Sequence, residues 1–299
     1  MPRILITGSS GQLGFELQRA LCLFGELRCP GRQQLNLASR QALLAWLDAE
    51  RPEVIVNAAA YTAVDLAESE VELAHAINAA APGAMAEWAA ANDALLLHYS
   101  TDYVFDGSGE TAWREDDNAK PLSVYGHSKW LGEQAVRAAG ARHFILRTSW
   151  VAGVHGNNFA KTMLRLAASK EQLRVVNDQF GTPTPASLLA DVSAQLLART
   201  LAEREQPYGS YHVATQGCTS WYQYAAYVIG LAREAGWPLT LPGDGLQPIP
   251  SADYPQQALR PAYSVLDCRK LQQTFGLQLP SWQQGIRQLF ATLDAARRG

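Results

Sequence analysis

The sequence predicts an α/β fold, a doubly wound parallel sheet with a smaller, mixed α/β lobe toward its C-terminal end. Three observations carry that expectation. Short apolar runs alternate with helical patterns through the first half of the chain. A glycine-rich turn, Gly8-Ser-Ser-Gly11-Gln-Leu-Gly14, joins the first run to the first helical stripe. After Trp150 the alternation gives way to turn-rich segments and longer helices. Strands alternating with helices imply a parallel sheet covered on both faces, since each connecting helix packs on one face or the other.

The elements follow in order. Ile4-Leu-Ile6 is a short buried strand ending at Thr7-Gly8. Leu13, Leu17, Ala20 and Leu21 recur at helical spacing, as do Ala42, Leu43, Trp46 and Leu47. Val54-Ile-Val56 reads as a strand that ends at Asn57-Ala-Ala-Ala60. Ala74 to Ala91 is alanine-rich and helical, interrupted by Pro82-Gly83. Leu95-Leu-Leu97 is a strand running into His98-Tyr-Ser-Thr-Asp102, and Phe144-Ile-Leu146 is another. Beyond Trp150, Asn158–Ala168, Leu188–Leu201, Trp221–Ala235 and Trp282–Ala296 read as helices. Arg174-Val-Val176 and Tyr211-His-Val213 read as strands. Six of the fifteen prolines fall between Pro238 and Pro261, which predicts an irregular stretch. The expected division is residues 1–150 for the main sheet and 151–299 for the smaller lobe, with some of its elements returning to that sheet.

Composition narrows the function classes. Hydrophobic residues make up 47% and charged ones 18%, which suits a soluble globular chain with a sizeable core. A net charge of −3 gives no overall basic signature for nucleic acid. No stretch approaches the ~20 apolar residues of a membrane span, and the apolar run at the N-terminus is too short for a signal peptide. Cys22, Cys29, Cys218 and Cys268 form no C-x-x-C pair and no zinc spacing, so neither a disulfide framework nor a metal site is expected. A reduced, cytoplasmic protein follows.

The glycine turn has the context of a dinucleotide site: strand, turn, helix. Gly8 allows the tight turn, Gly11 lets backbone approach a pyrophosphate, and Gly14 lets helix and strand pack closely. The helix N-terminus then offers free N–H groups, Gln12 and Leu13 among them, to phosphate. Where NAD-binding chains place an acid after the second strand, this one reads Leu27-Arg-Cys-Pro-Gly-Arg32. Arg28 and Arg32 are either partners for the 2′-phosphate of NADP or solvated surface charges. NADPH is therefore expected over NADH. Asn36, slightly further on, is placed to approach the adenosine.

Tyr125 and Lys129 stand at i and i+4, so phenol and ammonium share one helix face. A phenol of pKa about 10 is a poor acid at neutral pH, and a nearby positive charge is expected to lower it. Thr101, at a strand end, is placed to hydrogen-bond the same carbonyl oxygen that Tyr125 would protonate, and Asp102 to bind substrate hydroxyls. Both also suit helix capping or turn formation. Trp150 either stacks on a sugar or packs between lobes. Asn157-Asn158 either caps a helix or contacts a sugar. Arg260 either clamps a phosphate or pairs with a surface acid.

Longer strings make the chain resemble the extended short-chain dehydrogenase/reductase superfamily, and within it the dTDP-4-dehydrorhamnose reductase family. They are Gly8-x-x-Gly-Gln-Leu-Gly14, Val56-Asn-Ala-Ala-Ala-Tyr-Thr-Ala-Val-Asp65, His98-Tyr-Ser-Thr-Asp-Tyr-Val-Phe-Asp-Gly107, Tyr125-Gly-x-x-Lys129, Leu146-Arg-Thr-Ser-Trp150, Asn157-Asn-Phe-Ala-Lys-Thr-Met163, Asn177-Asp-Gln-x-Gly181 and Arg260-Pro261. The resemblance spans nearly the whole chain and implies a Rossmann-type fold. It also implies reduction of the C4 keto group of dTDP-4-dehydro-L-rhamnose by NAD(P)H, the last step of dTDP-rhamnose synthesis for bacterial surface polysaccharide. The implied catalytic group is Thr101, Tyr125 and Lys129. Implied cofactor contacts are Gly11-Gln12-Leu13, Asn36-Leu37, Ala60-Tyr61-Thr62 and Tyr99; implied substrate contacts include Thr101, Asp102 and Trp150. Gly181-Thr-Pro-Thr-Pro-Ala-Ser187 lacks the acid that would carry magnesium across, so magnesium stays undecided, as does a homodimer. One aspartate after Thr101, not an acidic pair, disfavours a 4,6-dehydratase. The intact Thr, Tyr and Lys weigh against a non-catalytic NADP-binding subunit.

Overall fold

The computed structural model describes residues 1–298. In chain order the first half runs β1 (Arg3–Thr7), α1 (Gln12–Leu21), β2 (Glu26–Arg28), α2 (Arg40–Glu50), β3 (Val54–Asn57), α3 (Val64–Ala67), α4 (Val71–His75), α5 (Ala81–Ala91), β4 (Leu95–Thr101), α6 (Val124–Ala138) and β5 (Arg142–Thr148). The second half runs β6 (Val151–Ala152), α7 (Phe159–Ala167), β7 (Leu173–Val176), β8 (Phe180–Gly181), β9 (Thr184–Pro185), α8 (Ala186–Ala202), β10 (Gly209–His212), β11 (Thr219–Ser220), α9 (Trp221–Glu234), β12 (Leu246–Ile249), α10 (Arg269–Phe275) and α11 (Trp282–Arg298).

Six strands form the main sheet in the order β2-β1-β3-β4-β5-β10, every neighbour pair parallel. This is the Rossmann-type, doubly wound architecture. Successive side chains of a strand alternate between faces, and the two cores divide accordingly. Ile4, Ile6, Leu95 and Leu97 pack with Leu17 of α1, Leu196 of α8 and Phe275 of α10. Leu5, Ile55 and Leu96 pack on the other face with Leu43 of α2, Met85 of α5 and Val136 of α6. Both faces are covered, which is why β3 and β4 each open with three consecutive apolar residues. The strand order reverses direction between β1 and β3, and ligands of open α/β sheets bind outside the strand ends at that switch point.

Residues after 151 contribute to both units. β10 adds to the main sheet beside β5, and α8 packs on α1. α7, α9 and α11 gather a separate aromatic core around Trp150, Tyr224 and Trp282. The proline-rich stretch is more ordered than its composition predicts: β12 pairs in parallel with β7, Pro248 opposite Val175. The pairing survives because β12 has a neighbour on one side alone, and an edge strand tolerates a missing N–H. No helix among the described residues is long and apolar enough to cross a membrane.

Pro82 does not break the alanine-rich helix. A π-helical turn, Ala76–Ala80, joins α4 to α5, and Pro82 sits in the first turn of α5. Proline has no N–H for the carbonyl four residues back, here that of Asn78. That carbonyl faces α6 at a point where a Cβ on Gly132 would fall 2.1 Å from its oxygen. Gly132→Ala is therefore expected to cost about 1–3 kcal/mol in urea unfolding. Gly230→Ala, in α9 with open space where a Cβ would go, is expected to stabilise by about 0.5–1 kcal/mol instead.

Candidate active site

Gly8 takes a positive φ of 67°, and a Cβ there would lie 2.8 Å from the Ala59 backbone. Only glycine suits both constraints. Gly14 lies so close beneath the turn that a Cβ would meet the Gly8 oxygen at 2.1 Å. Gly11 opens α1 with no side-chain cap, so the first N–H groups of the helix remain available to an anion.

This turn forms one wall of a cleft of about 630 Å3. The cleft is lined by Gly8, Gly11, Gln12, Leu13, Gly14, Arg32, Asn36, Leu37, Ala60, Thr62, Tyr99, Tyr125 and Lys129. Tyr99, Tyr125 and Lys129, distant in sequence, thus meet the glycine turn at the ends of β1, β3 and β4. Between Ala60 and Thr62, the Tyr61 hydroxyl donates to Glu70 at 2.8 Å, and its backbone N–H donates to Asn78 Oδ1 at 2.8 Å. Asn78 also donates to the Tyr61 carbonyl and to Ser128 Oγ, both at 3.0 Å, tying the Ala58–Thr62 loop to α6. Sequence reasoning missed Asn78; a buried asparagine inside an alanine run was the available signal. It also missed Ser100 and Thr148, whose buried hydroxyls line the cleft without a hydrogen-bond partner among the described residues.

α6 starts at Ser123, whose side chain accepts from Gly126 N at 3.2 Å. Its first two turns present Tyr125 and Lys129 to the cleft. Lys129 is buried, and its Nζ donates to the Tyr99 carbonyl at 2.5 Å. Burial brings its pKa down to about 8, with Glu133 opposing. Tyr125 is half-buried, edge-on to the Tyr103 ring at 5.7 Å between centroids. Its phenol is pushed up to about 12 by burial, while the neighbouring Thr101 hydroxyl works in the opposite direction. The expectation that Lys129 lowers the phenol is thus corrected: in this arrangement desolvation dominates, and the ammonium is turned to a carbonyl. The result is a phenol that stays protonated at neutral pH, the form that can donate.

Thr101 and Asp102 adjoin Tyr125 outside the lining of this cleft. Thr101 Oγ1 donates to Asp102 Oδ1 at 3.0 Å and accepts from Tyr103 N at 3.2 Å, capping a 3-10 turn over Asp102–Val104. Burial raises the Asp102 carboxyl to about 7, and its Oδ2 has no partner among the described residues.

The residues to which sequence gave two readings each have surroundings in the fold. Trp150 has a positive φ of 44° and stacks on Trp221, ring centroids 3.5 Å apart; it packs within the smaller lobe. Asn158 caps α7 by accepting from Lys161 N at 3.0 Å, and its Nδ2 donates to Gln12 Oε1 at 2.9 Å. Gly153 N donates to the same Gln12 oxygen at 2.8 Å, so the glycine turn is pinned to the smaller lobe. Asn157, not Asn158, lines the cleft. Arg260 pairs with Asp65, Nη1 to Oδ1 at 3.0 Å and Nη2 to Oδ2 at 2.7 Å. That bond holds the Asp65 carboxyl down at about 2. Arg28 is occupied by Glu26 and Glu50, each at 3.0 Å. Arg32 lies exposed at the cleft and makes no ion pair among the described residues.

The family model described as the RmlD substrate binding domain matches residues 2–295. The dTDP-4-dehydrorhamnose reductase of Escherichia coli K12 is 46% identical over 294 residues, 97% of each chain. The crystal structure of dTDP-4-dehydrorhamnose reductase from Bacillus anthracis in complex with NADP superposes with a TM-score of 0.89 at 34% identity, covering 97% of this chain and 99% of that one. A dTDP-glucose 4,6-dehydratase from Streptomyces venezuelae, 16% identical with a TM-score of 0.78, shares the fold. With the family model matching residues 2–295 and 46% identity to a relative over 97% of the chain, the chain belongs to the dTDP-4-dehydrorhamnose reductase family of oxidoreductases.

Proposed function

We propose that this protein reduces the C4 ketone of dTDP-4-dehydro-β-L-rhamnose to dTDP-β-L-rhamnose with NADPH, the last step in making dTDP-rhamnose. The observation that carries the reading is a protonated phenol, Tyr125, in one cleft with an uncapped glycine turn. The names of the relatives and the NADP held by the Bacillus anthracis structure support it.

The residues present suit a dinucleotide. Gly8, Gly11 and Gly14 leave backbone where a side chain would block it, and the first N–H groups of α1 suit the pyrophosphate. The Ser100 and Thr148 hydroxyls are buried and unpartnered at the cleft wall, and Lys129 lies beside them. Arg32 is the free cation for a 2′-phosphate, with Asn36 and Leu37 beside it. Bound there, the nicotinamide supplies hydride.

Tyr125 gives its O–H proton to the C4 oxygen, and Thr101 hydrogen-bonds that same oxygen. The phenolate left behind is stabilised by the Lys129 ammonium, which is cationic at neutral pH. Asp102 is the acceptor for sugar hydroxyls. Trp150, Asn158 and Arg260 serve the substrate as wall and anchor, each already held by a protein partner.

Four outcomes test this. Following nicotinamide absorbance with enzymatically made dTDP-4-dehydrorhamnose should show turnover by the wild type. Tyr125→Phe should lower kcat by about 10²–10⁴-fold, with NADPH still bound; full activity in that variant would remove the proton donor. Arg32→Ala should weaken NADPH by about 10-fold or more and leave NADH nearly unchanged in fluorescence titrations; equal losses would remove the 2′-phosphate role. kcat/KM, which reports the free enzyme, should fall as pH rises through about 8, because Lys129 loses its charge there. A flat profile well above that pH would contradict the role given to Lys129.

A further inference from the structure

Tyr125 and Lys129 are the first two members of a longer stripe. Glu133 is the third, at i+8 on the same face of α6. It has no surface exposure. Arg147 of β5 holds it with two hydrogen bonds, Nε to Oε1 at 2.8 Å and Nη2 to Oε2 at 2.7 Å. Arg137 adds a third at 2.8 Å. Arg147 is itself buried, and its Nη1 donates to the Glu115 carbonyl at 3.2 Å. A buried pair of this kind contributes little net stability over an apolar pair of similar volume, so its presence invites another explanation.

Two groups on the cleft side supply one. Lys129 stands one turn before Glu133, buried, with a single neutral carbonyl as its hydrogen-bond partner among the described residues. Glu133 is the carboxylate that favours its charged form. Ser100, in the cleft wall, lies beside Glu133 on the strand that ends at Thr101. The remaining titratable neighbours do not compensate. His98 of β4 faces Lys129 and is kept neutral by burial. His212 of β10 faces Glu133 and Arg147 and is also kept neutral by burial. Arg137 and Arg147 are cations, and both oppose a charge on Lys129 once Glu133 is gone.

We propose that Glu133 is a positioning residue for the reaction: fixed by Arg147, it keeps the buried Lys129 ammonium charged beside Tyr125. The inference rests on the reductase reading of Tyr125 and Lys129. It assigns the Glu133–Arg147 pair to the site and not to the core alone.

The experiment is a titration of Lys129 by NMR of lysine labelled at Cε, in the full-length protein without cofactor, paired with the pH profile of kcat/KM. Glu133→Gln should make Lys129 titrate about one pH unit lower, and the descending limb of the profile should move by the same amount. Because that variant leaves Arg147 buried without a counter-charge, Glu133→Gln/Arg147→Met is the second arm. It should fold, and Lys129 should still titrate below the wild-type value, by less than in the single variant. A wild-type titration of Lys129 in the double variant overturns the proposal and leaves the pair a structural one. The titration needs no turnover, so a shifted Lys129 in a protein that does not reduce the sugar ketone would count against the reductase reading alone.

Discussion

Two glycines decide how closely α6 lies on the loops around it. A Cβ at Gly126 would fall 2.2 Å from the Tyr103 carbonyl oxygen, and one at Gly132 would fall 2.1 Å from that of Asn78. No side chain fits at either place, so the helix can approach only with glycine there. That approach carries the rest of the site. It sets Tyr125 edge-on to Tyr103, brings Lys129 to the Tyr99 carbonyl, and seats Ser128 on Asn78. The π-helical turn serves the same contact from the other side, because Pro82 frees the Asn78 carbonyl and the turn aims the Asn78 side chain at the Tyr61 loop.

Burial then does the chemical tuning. The same desolvation raises the Tyr125 phenol and lowers the Lys129 ammonium, so both end in the form a carbonyl reduction needs near neutral pH: a proton still on oxygen and a charge still on nitrogen. Two polar links tie the smaller lobe to this centre. Gln12 takes hydrogen bonds from Gly153 and Asn158, which joins the glycine turn to the start of α7. Arg260 grips Asp65, and Ala258 N donates to the same carboxylate at 3.1 Å, which joins the proline-rich stretch to α3. Both links cross more than a hundred residues of sequence.

Much of the fold was legible from local pattern. β1, β3 and β4 each carry three consecutive apolar residues because both sheet faces are covered, and the helices between them show their stripes. The spacing of Gly8, Gly11 and Gly14 and the i, i+4 spacing of Tyr125 and Lys129 are local too. β12 was not legible, since its register comes from β7, and neither was the π-turn, since its reason lies in α6.

The sequence by itself determined the alternation of strand and helix, the glycine turn, and the tyrosine–lysine face, because each depends on residues within a few positions of one another. Tertiary structure alone decided which polar and aromatic side chains face the cleft. Arg28 and Arg32 are alike in sequence, yet Glu26 and Glu50 occupy one and leave the other free. Trp150 lies against Trp221, a neighbour 71 residues further along the chain. Tyr61, Asn158 and Arg260 likewise meet Glu70, Gln12 and Asp65. A side chain's role follows its partner, and a partner far along the chain has no local signature.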